Sequence, residues 1–295
     1  MTDGQVLDGA SRLVAWANFV KVAHTVFALP FAGVGIVVAA RRYPLDWTKV
    51  ALAVLAFTAA RFAAMGFNRI VDRRWDALNP RTAAREIPSG RMRLREAAVL
   101  VALMSAVFFV SVGFINPLCL ALSPFALLWV LVYSYTKRFT ALCHLWLGVA
   151  LAIAPVGGYL AIAGEWSTPW WLLASLAAGV AAWVAGFDTI YSLQDEEFDR
   201  GHGLRSATVA LGARGAISVA RGLHVAAVAG FALFGLAAGM GAAYQFGVAV
   251  AAGLLGWEHR LVRPNDYRRL DAAFFTMNGI IAGIILLGAL TDVLA

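Results

Sequence analysis

Residues 50–76 read VALAVLAFTAARFAAMGFNRIVDRRWD. The run over 50–67 is apolar for nearly the length a helix needs to cross the hydrocarbon core, about 20 residues. It passes directly into Asn68, Asp72 and Asp76. Positions four apart share one face of a helix, so these three form a polar stripe where the span meets the aqueous side. A second apolar run ends the same way. Residues 186–199, GFDTIYSLQDEEFD, carry Asp188, Asp195 and Asp199 at spacings of seven and four, which predicts one face again, with Tyr191 and Ser192 between. Glu196 and Glu197 point off that face, toward solvent or neighbouring Arg.

The rest of the chain explains why such acids stand out. Of 295 residues, 61% are hydrophobic and 14% charged, a balance that excludes an ordinary soluble domain and reads as an all-α, polytopic membrane bundle. About nine spans are expected, near 22–40, 50–67, 96–115, 118–136, 144–164, 170–187, 214–238, 242–257 and 272–291. The hinges 115–117 and 239–241 separate neighbouring spans. No long linker or low-complexity stretch interrupts them, so residues 1–295 read as a single domain. The glycine series at 230, 235 and 239 and the cluster at 279 and 283 suit close helix packing rather than chemistry.

The net charge of +7 comes from 21 Arg and 3 Lys against 17 acids. Its distribution excludes nucleic acid as the partner. With the N-terminus cytoplasmic, loops 68–95, 137–138, 188–214 and 258–271 all face inward and hold most of the basic residues. The outward connections add only Arg41, Arg42 and Lys49, as the positive-inside rule demands. The first twenty residues lack a signal-peptide layout, so the first apolar run is expected to be a retained helix. Cys119 and Cys143 have no paired spacing, and the five His lack ligand spacing, which points away from disulfides, zinc and haem.

Carboxylates at the ends of apolar runs need a counter-charge. Mg²⁺ takes oxygen ligands, keeps waters, and is held by one or two carboxylates together with substrate phosphates. Two acidic half-sites would therefore clamp a diphosphate through metal bridges. Arg81, Arg85, Arg91, Lys137, Arg138 and Arg205 would neutralise the remaining charge. Lys21 either binds an anionic group or snorkels to the interface; His24 reads as a hydrogen-bonded helix residue.

These residues resemble the UbiA superfamily of intramembrane prenyltransferases, and the resemblance covers essentially the whole chain. The family's Asn and two Asp at four-residue steps are similar to Asn68, Asp72 and Asp76. Its Arg-rich segment ending in Pro-Ser-Gly is similar to residues 81–90, its second Asp-x-x-x-Asp to Asp195 and Asp199, and its Tyr-x-x-x-Lys-Arg-x-Thr to Tyr133, Lys137, Arg138 and Thr140. Two positions depart from the pattern: Arg69, where many members have Asp, and Glu86, where many have Pro. Both bear on the subgroup. The flanking strings look most like 4-hydroxybenzoate polyprenyltransferases, including members acting on a dihydroxynaphthoate in the futalosine route to menaquinone.

The resemblance implies Mg²⁺-dependent transfer of a polyprenyl group from polyprenyl diphosphate to a small aromatic acid, in ubiquinone or menaquinone biosynthesis, at the cytoplasmic face of a bacterial inner membrane. It implies a metal-diphosphate site of Asn68, Asp72, Asp76, Asp195 and Asp199. Asp72, Asp195 and Asp188 carry the chemistry, Asp188 either supporting the clamp, orienting the acceptor or taking its proton. Substrate contacts fall to Lys137, Arg138, Arg81, Arg85, Arg91, Tyr133, Tyr191 and Lys21. Homogentisate, haem, chlorophyllide or a lipid are the alternative acceptors. A transporter that moves ions on intramembrane acids is the alternative class; the placement of the acids at helix ends rather than mid-span speaks against it.

Overall fold

The computed structural model describes residues 12–20, 25–262 and 276–294. The expectations for Lys21 and His24 lie outside them. Among the described residues the chain is helical throughout, with no strand. The helices are α1 (Arg12–Phe19), α2 (Thr25–Ala40), α3 (Trp47–Leu78), α4 (Leu94–Ile115), α5 (Pro117–Thr136), α6 (Cys143–Ala163), α7 (Trp170–Tyr191), α8 (Glu196–Gly201), α9 (Ala207–Ala237), α10 (Ala242–Leu261) and α11 (Asn278–Leu294). Six stretches are long and apolar enough to cross a membrane: α3, α4, α5, α6, α9, and the stretch from α7 through α8. Leu29–Ala40 of α2 and all of α11 are apolar but shorter.

Both hinges are real helix breaks. Asn116 is extended (φ −169°, ψ 163°) because the following proline ring crowds the helical conformation out of the residue before it. Its side chain then accepts from the Cys119 N–H at 2.8 Å, which caps the first turn of α5. At the other hinge Gly239 sits at φ +63°, a left-handed conformation that ends α9 at little steric cost.

The chain parts into two compact units, one of Met1–Val26 with Ala51–Tyr135, the other of Phe27–Val50 with Thr136–Ala295. In the first, Ala56, Ala59 and Ala63 recur every three to four residues along α3 and pack on Phe108, Val112 and Leu127. Gly66 continues the small face: a Cβ there would lie 2.8 Å from Val101 and 2.9 Å from Phe19.

The second unit is packed more tightly still. A Cβ at Gly35 would sit 1.9 Å from the Pro155 carbonyl oxygen, at Gly158 2.2 Å from that of Ala32, and at Gly148 2.2 Å from that of Ala181. Lipid gives apolar helices no reason to prefer one another, so such backbone-to-backbone approach is what brings them into contact. Fully buried Trp183 fills the space beside Phe31 and Phe187 and donates from Nε1 to Asn278 Oδ1 at 2.8 Å. Of the glycines assigned to packing, Gly230 and Gly235 abut Gly179 and Tyr244, whereas Gly283 faces open space and Gly239 serves the turn.

Candidate active site

In the first unit α3 does not stop at the end of its apolar run but continues unbroken to Leu78. Asn68, Asp72 and Asp76 are therefore on one helix, as their spacing predicts. Asn68 Nδ2 donates to Asp72 Oδ2 at 2.8 Å, which leaves the Asn68 carbonyl oxygen pointing elsewhere. Asp76 is buried, its Oδ1 paired with Arg85 Nη1 at 2.8 Å. Its Oδ2 is buried with no hydrogen-bond partner. Two helical turns before Asn68, inside the apolar run, stands Arg61, whose Nε is buried and likewise without a partner.

The loop after α3 is built on its own carbonyls. Thr82 Oγ1 donates to Asp76 O, the Arg81 N–H to Asn79 Oδ1, and the Met92 N–H to Glu86 O. Arg91 is exposed and folds back onto this loop, bonding Ser89 Oγ and the Ala84 carbonyl. Arg85 thus meets the stripe through its bond to Asp76.

The two departures from the family pattern turn out to be one feature. Arg69 Nη1 and Glu86 Oε2 are 2.6 Å apart, with side chains only 3% and 4% exposed. The guanidinium also reaches the Asn18 carbonyl and lies 5.8 Å from the centre of the Phe19 ring. Arg69 follows Asn68 by one residue, about 100° round the helix, and precedes Asp76 by seven, about 20° from it. Through Glu86 it pins the loop to α3.

In the second unit the one-face expectation needs correcting. α7 ends at Tyr191, and a 3₁₀ turn over Ser192–Asp195 intervenes before α8. A 3₁₀ turn winds at three residues per turn rather than 3.6, so the α-helical phase between Asp188 and Asp195 is lost. The acids accordingly find different partners. Asp199 is 2% exposed and its Oδ2 pairs with Lys137 Nζ at 2.8 Å. Burial alone would lower the Lys137 ammonium, but the Asp199 and Asp195 carboxylates more than offset it and hold the group above the usual lysine range. Asp188 instead bonds His144 Nδ1 at 2.6 Å.

In this unit Tyr191 is half-buried and Arg138 is exposed; in the first unit Tyr133 is half-buried. Arg205 braces the turn before α6: its N–H donates to Lys137 O at 2.6 Å and its Nη1 to Phe139 O at 2.9 Å. Off the stripe, Glu197 is exposed and Glu196 pairs with Arg200 at 2.7 Å. Cys119 and Cys143 are both free. Sequence reasoning passed over Arg61 and His144. An arginine inside an apolar run was the available signal for the first; the second has none, since its partner lies 44 residues away.

Among the described residues, no three His, Cys, Asp or Glu converge as a closed metal site. The chain belongs to the UbiA prenyltransferase family, whose sequence profile matches residues 28–280. It is a polyprenyltransferase, which settles the choice between enzyme and transporter.

Two relatives are 4-hydroxybenzoate octaprenyltransferases. That of Nitrosospira multiformis is 32% identical over 237 residues, covering 79% of this chain and 80% of its own. That of Alkalilimnicola ehrlichii is 32% identical over 262 residues, covering 88% and 86%. Among solved structures, the apo form of a UbiA homologue from Aeropyrum pernix K1 superposes with a TM-score of 0.81 at 38% identity, over 91% of this chain and 98% of that one. A UbiA homologue from Archaeoglobus fulgidus, bound to GPP and Mg²⁺, shares the fold at a TM-score of 0.69 and 19% identity, over 95% of this chain and 100% of that one.

Proposed function

We propose that this protein transfers a polyprenyl group from polyprenyl diphosphate to the ring of a phenolic aromatic acid, 4-hydroxybenzoate or a dihydroxynaphthoate, with Mg²⁺ as cofactor. The observation that carries the reading is the division of charge along α3. Acids that suit a metal-bound diphosphate stand at its end, and Arg61, whose buried Nε has no hydrogen-bond partner among the described residues, stands two turns deeper in the apolar run. A cation at membrane depth without a carboxylate of its own is costly, and a substrate carboxylate relieves that cost. The names of the relatives agree with an acid acceptor.

The donor set fits a hard divalent ion. Asp76 Oδ2 is a buried carboxylate oxygen with no other partner, and the Asn68 carbonyl and the Asp72 carboxylate are further hard oxygens on the same helix. Asn68, Asp72 and Asp76 would hold Mg²⁺ as one half-site, Asp195 and Asp199 as the other. When bound, the ion neutralises charge on the departing diphosphate. Lys137, Arg138, Arg81 and Arg85 add charge-assisted hydrogen bonds to its oxygens, with Arg91 and Lys21 as outer anion contacts. Departure leaves an allylic cation, which the ring faces of Tyr133 and Tyr191 stabilise. Apolar walls exclude the water that would quench it.

In this reading the chain crosses a bacterial inner membrane nine times with its N-terminus and its site on the cytoplasmic side, which places the basic loops inside. Its product enters ubiquinone or menaquinone assembly. The test is purified protein in liposomes with labelled polyprenyl diphosphate, with and without Mg²⁺, and a panel of 4-hydroxybenzoate, dihydroxynaphthoates and homogentisate. Transfer to 4-hydroxybenzoate or a dihydroxynaphthoate that stops on chelation is expected. Transfer to homogentisate alone, or to none of the panel, would overturn the proposal.

A further inference from the structure

We propose that Asp188 takes up the proton the aromatic acceptor loses, and that His144 is the positioning residue that aims it. The inference rests on the aromatic acceptor proposed above and concerns what happens after the carbon–carbon bond forms. The allylic C–O bond breaks with its electron pair on the diphosphate oxygen. A π pair of the ring closes the new C–C bond. The C–H bond at that ring carbon then ionises back into the ring, and its proton needs a base that is neither holding a cation nor shut away from the substrate.

Of the three aspartates over residues 188–199, Asp188 meets these conditions best. Asp199 is 2% exposed and bonded to Lys137, and Asp195 is 8% exposed and acts on the same lysine. The Asp188 side chain is 18% exposed. One of its oxygens, Oδ2, is bonded to His144, and Oδ1 makes no hydrogen bond among the described residues. Its chain neighbours Phe187 and Thr189 are 4% and 1% exposed, so the carboxylate is flanked by buried side chains.

His144 has the properties of a support rather than of a reactant. It is 4% exposed, so it lies behind Asp188, in the first turn of α6. Its Nε2 is buried without a hydrogen-bond partner. A proton on Nδ1 is donated to Asp188 Oδ2. That bond holds one carboxylate oxygen and leaves the other free to receive a proton. This is the role the orienting group plays for a catalytic base in acid–base sites generally.

The test uses the full-length protein in liposomes and 4-hydroxybenzoate deuterated beside its hydroxyl. In the wild type, proton loss follows the slower C–O cleavage and no primary isotope effect is expected. Asp188→Asn keeps the shape but cannot accept the proton, and should cost ~10²-fold or more in kcat. His144→Leu should cost roughly tenfold, the rate equivalent of one hydrogen bond to a charged group. Both should bring in a normal primary isotope effect. His144→Asn, which restores a donor near the Nδ1 position, should recover most of the rate and suppress the effect.

Binding of a non-reactive prenyl thiolodiphosphate at wild-type affinity checks that each variant is folded. If His144→Leu fails that check, Asp188→Asn carries the test. An Asp188→Asn enzyme within about threefold of wild type, or lost rate with no isotope effect and no rescue by His144→Asn, would overturn the inference. A wild type inert toward every aromatic acceptor would instead overturn the function on which it rests.

Discussion

Replacing Glu86 by Ala should destabilise this protein more than most changes outside its helix contacts. The Glu86 and Arg69 side chains are 4% and 3% exposed and meet at 2.6 Å. Breaking a buried ion pair from one side costs about 3–5 kcal/mol, because the surviving charge is left without its counter-charge. Removing both charges is a different matter. Arg69→Met with Glu86→Leu replaces the pair by apolar volume, a change that is often neutral or stabilising by about 1–4 kcal/mol.

The assay is equilibrium unfolding in mixed micelles of dodecyl maltoside and SDS, read by the fluorescence of the ten tryptophans. Prenyl transfer is measured on the same samples below the transition. Glu86→Ala should shift the midpoint sharply and the double variant should restore it, with the acceptor preference unchanged because the Arg69 guanidinium is committed to Glu86. A Glu86→Ala protein within about 1 kcal/mol of wild type would mean that the pair behaves like an exposed one. A double variant with a new acceptor preference would mean that Arg69 acts on the substrate. Either result refutes the reasoning.

Asp72→Ala and Asp195→Ala should each abolish turnover while the protein still inserts and melts as the wild type does; retained turnover in either removes that carboxylate from the diphosphate site. Arg61→Gln should raise KM for a carboxylated phenol far more than for the prenyl diphosphate, and an equal effect on both would remove Arg61 from acceptor binding. Because Lys137 is held above its ordinary range, its contribution to stability is fully present below the unfolded value of about 10.4 and is lost as pH rises through the higher folded value. Unfolding midpoints should thus show no lysine-linked change between about pH 7 and 9 and a decline above about 10.4 that is missing in Lys137→Met. Gly35→Val should prevent folding, since even a Cβ there would lie 1.9 Å from the Pro155 carbonyl oxygen; a well-folded variant would show that α2 and α6 can separate.

Much of this was legible from one dimension because a bilayer imposes a strict local code. Apolar length selects the helices, and a four-residue period places Asn68, Asp72 and Asp76 on one side of α3 whatever the rest of the chain does. The same period misled at 188–199. A 3₁₀ turn is decided by how α7 and α8 must pack, not by spacing, so Asp188 parts from Asp195 and Asp199 and joins His144. Arg69 and Glu86 were legible only as two separate departures from a pattern. Their 17-residue separation gives no local period, and it takes the fold of the loop to show that they are one ion pair.

By itself, then, the sequence determined the all-helical membrane architecture, the two acidic segments and the family, since hydropathy, helical period and motif order are local properties that survive any tertiary arrangement. Tertiary structure alone decided which acid meets which cation, that the Arg61 Nε is buried without a partner among the described residues and that His144 meets Asp188. Inside a bilayer an ionised group is stable only beside its partner, and the partner is chosen by where distant helices cross.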